Sequence, residues 1–463
     1  MEINKKIDEM RDQLISKTQE ILKIKSVEGE PKSGMPFGEG PAKALACALK
    51  ISEDLGFKTT NLDNYIGYAE YGQGEDYVAV LGHLDVVPEG DGWKYPPYSA
   101  EIHDGRIYSR GTLDDKGPVM AALYGLKAIK EAGLNLNKRV RIIFGTNEET
   151  GSREIGYYLK KEKPPVAGFT PDGQYPIING EKGITSFDLV KELKNRSCGD
   201  LVIKAFKGGN ASNMVPDKCS VELIAKDPKN VVNALETFTS KTGYEIVAKV
   251  EGNNVTINST GMSAHGSLPH LGKNAIMQLF AFLATLEFEK CDIVDFIKYI
   301  NENIGMEIDG KSLGVNLEDE DSGKLSLNLG IAKADEDRAF VTLNLRYPVT
   351  KTLDDVMVPL ENKLKGTNIE LINLKHQKPL YFKPEHPLVK TLQKVYTKET
   401  NKEATLLSIG GGTYAKEMPN ILAFGPIFPG GADLDHQPNE YIEIEDLVLN
   451  AKIYAHAIYE LAK

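Results

Sequence analysis

His83 and Asp85 stand in Gly82-His-Leu-Asp85, directly after the apolar, β-branched run 77–81. Such a run reads as a short strand buried on both faces. In extended chain, side chains two apart point the same way, so the imidazole and the carboxylate emerge together at the strand's end. After an aromatic-rich loop, Ser109-Arg-Gly-Thr-Leu-Asp-Asp-Lys-Gly117 places the pair Asp114-Asp115 beyond a second short strand. An imidazole and several carboxylates on neighbouring strand ends suit a divalent metal ion. Glu148 and Glu149 are adjacent in Asn147-Glu-Glu-Thr-Gly151 and repel each other unless something positive sits nearby. Successive residues point in different directions, so one could hold a metal while the other faces a reacting water. A solvated acidic turn is the plainer alternative, since pairs such as Asp354-Asp355 are common. Asp433-Leu-Asp-His436 follows the glycine turn Pro429-Gly-Gly431 and offers a second imidazole beside carboxylates that could orient it. Singly, each of these is more often structural than catalytic.

The elements that must position them follow a repeating order. The first 25 residues are highly charged, with Ile3, Ile7, Met10, Leu14, Thr18 and Ile21 at helical spacing, which predicts an amphipathic surface helix rather than a signal peptide. A helix is expected over 41–55, opened by Pro41 and stopped by Gly56. Strands are expected over 57–69, 77–81, 139–144 and 167–172, with a helix over 119–132 between the second and third. Strands alternating with helices predict an α/β domain with a mostly parallel sheet and helices on both faces. In such sheets the functional crevice lies outside the strands' C-terminal ends. His83, Asp114, Glu148, Glu149 and Asp172 all fall there.

From about residue 181 the pattern changes to longer alternating strands (185–193, 219–224, 255–259, 339–346) with helices over 274–287, 293–303 and 353–364. This predicts a separate α+β domain. The α/β pattern returns after about 377, with helices over 386–397 and 444–461 and strands over 405–408 and 421–424. The expected organisation is a catalytic domain in two parts, 1–180 and 378–463, with 181–377 inserted.

The 463 residues are too many for one ordinary core, and 26% charged with 41% hydrophobic residues is ordinary for a soluble protein. A net charge of −11 argues against nucleic-acid or anionic-membrane binding. Cys47, Cys198, Cys219 and Cys291 form no CxxC pair, which fits a reducing compartment, and the longest apolar stretch, 275–288, is too short to span a bilayer. The expectation is a soluble cytoplasmic protein.

Taken in order, Gly82-His-Leu-Asp85, Gly111-Thr-Leu-Asp-Asp-Lys-Gly117, Asn147-Glu-Glu-Thr-Gly151, Thr170-Pro-Asp172 and Asp435-His436 resemble the co-catalytic dinuclear metallopeptidase family. That family includes aminoacylases, desuccinylases and carnosinase-like dipeptidases. The long insert and Asn179-Gly-Glu-Lys-Gly183 are most similar to the bacterial broad-specificity (Xaa-His type) dipeptidases.

The resemblance implies two divalent metal ions per subunit, Zn²⁺ or Mn²⁺ with Co²⁺ possible, held by His83, Asp114, Glu149, Asp172 and His436. Asp114 would bridge, with His83 and Asp172 on one ion and Glu149 and His436 on the other. It implies that Asp85 orients His83, that Glu148 is the general base, and that the Asp114–Asp115 peptide is cis. It further implies a lid role for the inserted domain, with His265 in Gly261-Met-Ser-Ala-His-Gly266 as oxyanion donor, and Asn213 and Arg346 as substrate-binding residues. Gly410 and Gly411, in Gly410-Gly-Gly-Thr-Tyr414, could present backbone N–H groups to a substrate carboxylate or could form only a tight turn. Arg346 could equally pair with an acid on the lid. His103, His270, His376, His386 and His456 match no motif. In dimeric relatives the histidine matching His265 comes from the partner subunit, and the long insert implies a monomer instead. The expected activity is a metal-dependent dipeptidase acting on small peptides. The alternatives are an N-acyl-amino-acid deacylase or desuccinylase on the same scaffold, and a non-catalytic metal-binding relative. No G-x-S-x-G elbow supports a serine hydrolase.

Overall fold

Strand Tyr77–His83 is buried at every position, the pattern of a strand covered on both faces rather than one. In the computed structural model, which describes residues 2–195 and 199–463, it pairs in parallel with Arg139–Gly145 on one side and Ala167–Thr170 on the other. Ile421–Ala423 adds a further parallel strand beside Ala167–Thr170. This parallel centre has antiparallel flanks: Ile66–Tyr71 and Lys58–Leu62 at one side, Ile177–Glu181 and Leu380–Tyr381 at the other. Helices Glu39–Asp54, Lys116–Glu131 and Ile444–Ala462 pack against the sheet. Gly168 is required where two strands approach closely, because a Cβ there would lie 2.3 Å from the Ala79 carbonyl oxygen.

The chain divides into two compact units. The first comprises residues up to Asn179, Phe382–Leu407 and Gly412–Lys463, and the second comprises Gly180–Tyr381 and Ser408–Gly411. The second unit is built on an eight-stranded antiparallel sheet in the order Glu245–Glu251, Asn254–Thr260, Lys218–Ala225, Leu201–Gly208, Ser326–Ala334, Arg338–Tyr347, Gly183–Glu192, Glu370–Gln377. Burial alternates along Gly183–Glu192, as a sheet with one covered face requires. Helices Ala275–Leu283 and Asp292–Asn303 contribute to the apolar core of this unit.

Three local expectations change. The predicted strand over 57–69 is a hairpin, Lys58–Leu62 and Ile66–Tyr71, turned by Asp63 and Asn64 with φ of 54° and 58°. These are residue types that tolerate the left-handed region. The amino-terminal helix is two helices, Glu2–Glu9 and Arg11–Leu22. Cys291 is disulfide-bonded, which the absence of a CxxC pair and the expected reducing compartment do not anticipate, while Cys47 and Cys219 are free; Cys198 lies outside the described residues. Among the described residues no helix is long and apolar enough to cross a membrane.

Gly168→Ala should lower the free energy of unfolding by about 1–3 kcal/mol, the usual cost of forcing extra volume into a packed core. Urea denaturation measures this, and an unchanged midpoint would show that the two strands can yield.

Candidate metal centre and substrate-binding residues

The strand ends deliver their polar residues to one place. His83 closes Tyr77–His83 and is fully buried. Its backbone N–H donates to Asp115 Oδ2 at 3.1 Å. Its Nδ1 lies 3.0 Å from the Asp85 carbonyl oxygen and 3.5 Å from Asp85 Oδ1. The Asp85 carboxylate is engaged elsewhere, accepting the N–H groups of Glu148 and Glu149 at 3.1 Å each. Asp85 therefore contacts the His83 ring chiefly through its backbone and fixes the Glu148-Glu149 turn through its side chain. That turn is a short 3₁₀ helix, Glu148–Thr150, beyond Arg139–Gly145.

Asp114 sits between the two imidazoles. Its Oδ1 is 2.8 Å from His83 Nε2 and its Oδ2 is 3.1 Å from His436 Nε2, which is also 3.1 Å from Glu149 Oε2. Ligand atoms of His83, Asp114 and Glu149 lie within 4.8 Å of one another, as do those of His83, Glu148 and Asp172. The peptide bond between Asp114 and Asp115 is cis.

The electrostatics of this cluster call for positive charge. Burial, then Asp172, pushes Glu148 well above the usual carboxylate range. Burial, then Asp114, pushes Glu149 up to about 7 and Asp172 up to about 6. Burial acts against Asp114 too, yet the His436 and His83 imidazoles hold it well below the usual range. Asp114 and Glu149 raise His436 to about 11. Without a cation, protons are the counter-ions these carboxylates recruit. Two buried atoms also lack hydrogen-bond partners: Glu149 Oε1, and His83 Nε2, whose approach to Asp114 fails hydrogen-bond geometry. Imidazole and carboxylate donors without thiolate fit a divalent ion such as Zn²⁺, Mn²⁺ or Co²⁺.

Other residues complete the surroundings and were not singled out by pattern. Tyr414 donates from its hydroxyl to Glu154, and its ring meets the His83 ring edge-on at 6.0 Å. Gly145 makes room for it, since a Cβ there would lie 2.0 Å from the tyrosine oxygen. Glu440, buried, accepts from the backbone of the Asp114 loop.

The second unit gathers a different set. Arg346 is 5% exposed, yet its hydrogen bonds go to Asn344 Oδ1 at 2.9 Å and to the Gly410 carbonyl at 3.1 Å, and neither partner is an acid. A Cβ on Gly410 would meet Ser267, and Ser267 Oγ is 2.6 Å from His265 Nδ1. The Ser267 N–H also points at Nδ1. With Nδ1 accepting, the neutral ring carries its proton on Nε2 as a donor. Burial, then Arg346, lowers the His265 pKa, which keeps the ring neutral near pH 7. Asn213 lies on the segment paired to this loop, with its carbonyl accepting from the Gly266 N–H at 2.6 Å. Gly411 follows Gly410 in this unit. His103, His376, His386 and His456 each have a local partner: Glu101, Tyr347, the Leu388 N–H and Asn4 respectively.

The sequence profile described as peptidase family M20/M25/M40 matches residues 79–460. The chain belongs to that family. It is a peptidase of a metal-dependent family, with the strand-end cluster as its candidate metal site. Among its relatives, the Bacillus subtilis (strain 168) protein named "Putative dipeptidase YtjP" is 42% identical over 459 residues, covering 98% of each chain. The fold is shared with human carnosine dipeptidase 1 (TM-score 0.58, 15% identity, 99% of this chain and 98% of that one). It is shared equally with aminoacylhistidine dipeptidase from Vibrio alginolyticus (TM-score 0.59, 12% identity, 97% of each).

A sign follows for pH dependence. Glu149, Asp172 and Glu154 titrate higher in the folded metal-free chain than the 4.5, 3.8 and 4.5 of the unfolded one, at about 7, 6 and 7. An acid raised in this way stabilises the fold fully below its unfolded value and loses that contribution as pH rises through its folded value. His436, raised from 6.5 to about 11, loses its contribution across that higher window in the same direction. The Tm of chelator-stripped protein should therefore fall from pH 5 to pH 8, and added Zn²⁺ or Mn²⁺ should flatten the slope. A metal-free Tm that rises over this interval would contradict it.

Proposed function

We propose that the chain is a metal-dependent dipeptidase that hydrolyses unblocked dipeptides. The observation that carries this reading is the joining of imidazoles and carboxylates at His83, Asp114, Glu149 and His436, with Glu148 and Asp172 adjoining. His83, Asp172 and Asp114 would hold one divalent ion, and Asp114, Glu149 and His436 a second. Such ions supply Lewis acidity, polarising the scissile carbonyl and acidifying the attacking water.

The protein's own residues do the rest. Glu148, whose carboxylate burial makes more basic, takes the proton of the attacking water and returns it to the leaving amine. Asp85 holds the Glu148 backbone and so fixes where that base points. His265 donates from Nε2 to the developing oxyanion. Arg346, buried beside Gly410 without an acidic partner, is suited to a substrate carboxylate through charge-assisted hydrogen bonds, and Asn213, Gly410 and Gly411 add polar contacts. A free substrate ammonium suits a carboxylate-rich site, whereas an N-acyl group brings no compensating charge. The enlarged insert supports activity as a monomer.

The decisive experiment sets a panel of free dipeptides against tripeptides, N-acetyl and N-succinyl amino acids and dipeptide amides, with metal analysis of the purified protein. Free dipeptides should be cleaved fastest, tripeptides slowly, and blocked substrates poorly, with activity eluting at monomer size. Faster cleavage of N-acyl amino acids would establish the deacylase instead.

Three substitutions separate the roles. Glu148→Ala should abolish turnover with metal content near wild type, whereas His436→Ala should lose one metal equivalent. Metal loss in Glu148→Ala together with full metal in Glu149→Ala would reverse those two assignments. His265→Ala should lower kcat by ~10²–10³-fold, the usual effect of deleting one oxyanion donor, with metal binding intact. A wild-type rate would remove His265 from the mechanism.

A further inference from the structure

Glu440 lies four residues beyond His436 and is completely buried. Its carboxylate collects the donors of a single loop. Oε2 accepts from the Gly111 N–H at 3.0 Å and from Arg110 Nη1 at 2.8 Å. Oε1 accepts from the Leu113 N–H at 2.8 Å, the Thr112 hydroxyl at 3.3 Å and the Asp114 N–H at 3.4 Å. The Glu440 carbonyl accepts from the Ser109 N–H at 3.1 Å, and Arg110 Nη1 also reaches the Gln437 carbonyl at 3.2 Å. The loop ending in Asp114 is thus wrapped around one carboxylate carried by the segment that bears His436.

Such an arrangement is a poor way merely to close a loop. Burying a carboxylate and a guanidinium costs several kcal/mol per ion, and apolar packing of the same volume usually does as well or better. Glu440 also sets a second negative charge near Asp114, in a cluster already short of cations. What the carboxylate does provide is geometry. Its acceptors fix the backbone at Asp114, whose Oδ2 is 3.1 Å from His436 Nε2, and they fix it relative to the segment that supplies that histidine.

We propose that Glu440, with Arg110, is a positioning residue that sets the Asp114-to-His436 geometry and thereby the affinity of the metal position these two share. The proposal rests on the reading of this cluster as a metal centre. Glutamine in place of Glu440 would turn an NH₂ group towards N–H donors and could not accept on both sides. Aspartate would keep the charge but withdraw it by one methylene.

The test is a Zn²⁺ titration of metal-stripped wild type and folded Glu440→Gln against a chromophoric chelator, with Co²⁺-substituted absorption spectra of both. Glu440→Gln should bind one Zn²⁺ equivalent 10–100-fold less tightly than wild type, the range seen when a partner of a metal ligand is removed. Its Co²⁺ spectrum should shift, and excess Zn²⁺ should restore most of its kcat on a dipeptide. Metal rescue separates positioning from a general folding lesion, which added Zn²⁺ would not repair. Wild-type affinity and an unchanged Co²⁺ spectrum would overturn the proposal while leaving the metal centre standing. Failure of the wild type itself to bind Zn²⁺ would overturn both. Should Glu440→Gln not accumulate as folded protein, Glu440→Asp is measured in the same way, and a folded Glu440→Asp with wild-type affinity and spectrum would overturn the proposal.

Discussion

Mutual repulsion among carboxylates at the ends of parallel strands is the constraint around which the first unit is built. Two like charges ~4 Å apart cost about 4 kcal/mol even at an effective dielectric of 20, against a total stability of roughly 5–15 kcal/mol for a domain. Asp114, Glu148, Glu149 and Asp172 cannot all be ionised in so small a space without cations. The surrounding structure holds them there all the same. The strands beneath are buried apolar chain. The backbone of His83 is held by the Asp115 carboxylate, and that of the Glu148-Glu149 turn by the Asp85 carboxylate. A rigid platform that keeps repelling groups together is what a site needs if its binding energy is to come from an incoming cation.

The second unit shows the opposite imbalance. Arg346 is buried among neutral partners, and burial alone draws its pKa down to about 10. A guanidinium in that position is costly until an anion meets it. The neighbouring His265 is held neutral and oriented by Ser267. The first unit therefore carries surplus buried negative charge, and the second a buried positive group whose hydrogen bonds go to neutral partners.

Much of this was legible in the chain because the informative signals are local. The unbroken apolar run before His83 reads as a doubly covered strand, and the motifs at successive strand ends carry the imidazole and carboxylates that the structure gathers in one cluster. What escaped was long-range. The bonds between Glu440 and the Asp114 loop join residues more than 300 positions apart, and no periodicity encodes them. Tyr414 closes the Gly410-Gly-Gly-Thr-Tyr414 motif, yet nothing local to that motif shows that its hydroxyl reaches Glu154. The family resemblance implies that Asp85 orients the His83 ring. Two residues of separation place its carbonyl nearer that ring than its carboxylate, a distinction that side-chain alternation alone cannot make. The hairpin at Asp63-Asn64 had a local signal, two residues tolerant of positive φ, which strand propensity on either side obscured.

The centre is unevenly shielded from solvent. The His83 side chain is completely covered, whereas the His436 side chain is 53% exposed. Under the two-ion reading proposed above, an ion held by His83 would be bound through a donor closed to water, and one held by His436 through a donor open to it. The ion on His436 would then be the first to equilibrate with the surrounding metal pool. At that position the metal in a given preparation would reflect the last buffer it met.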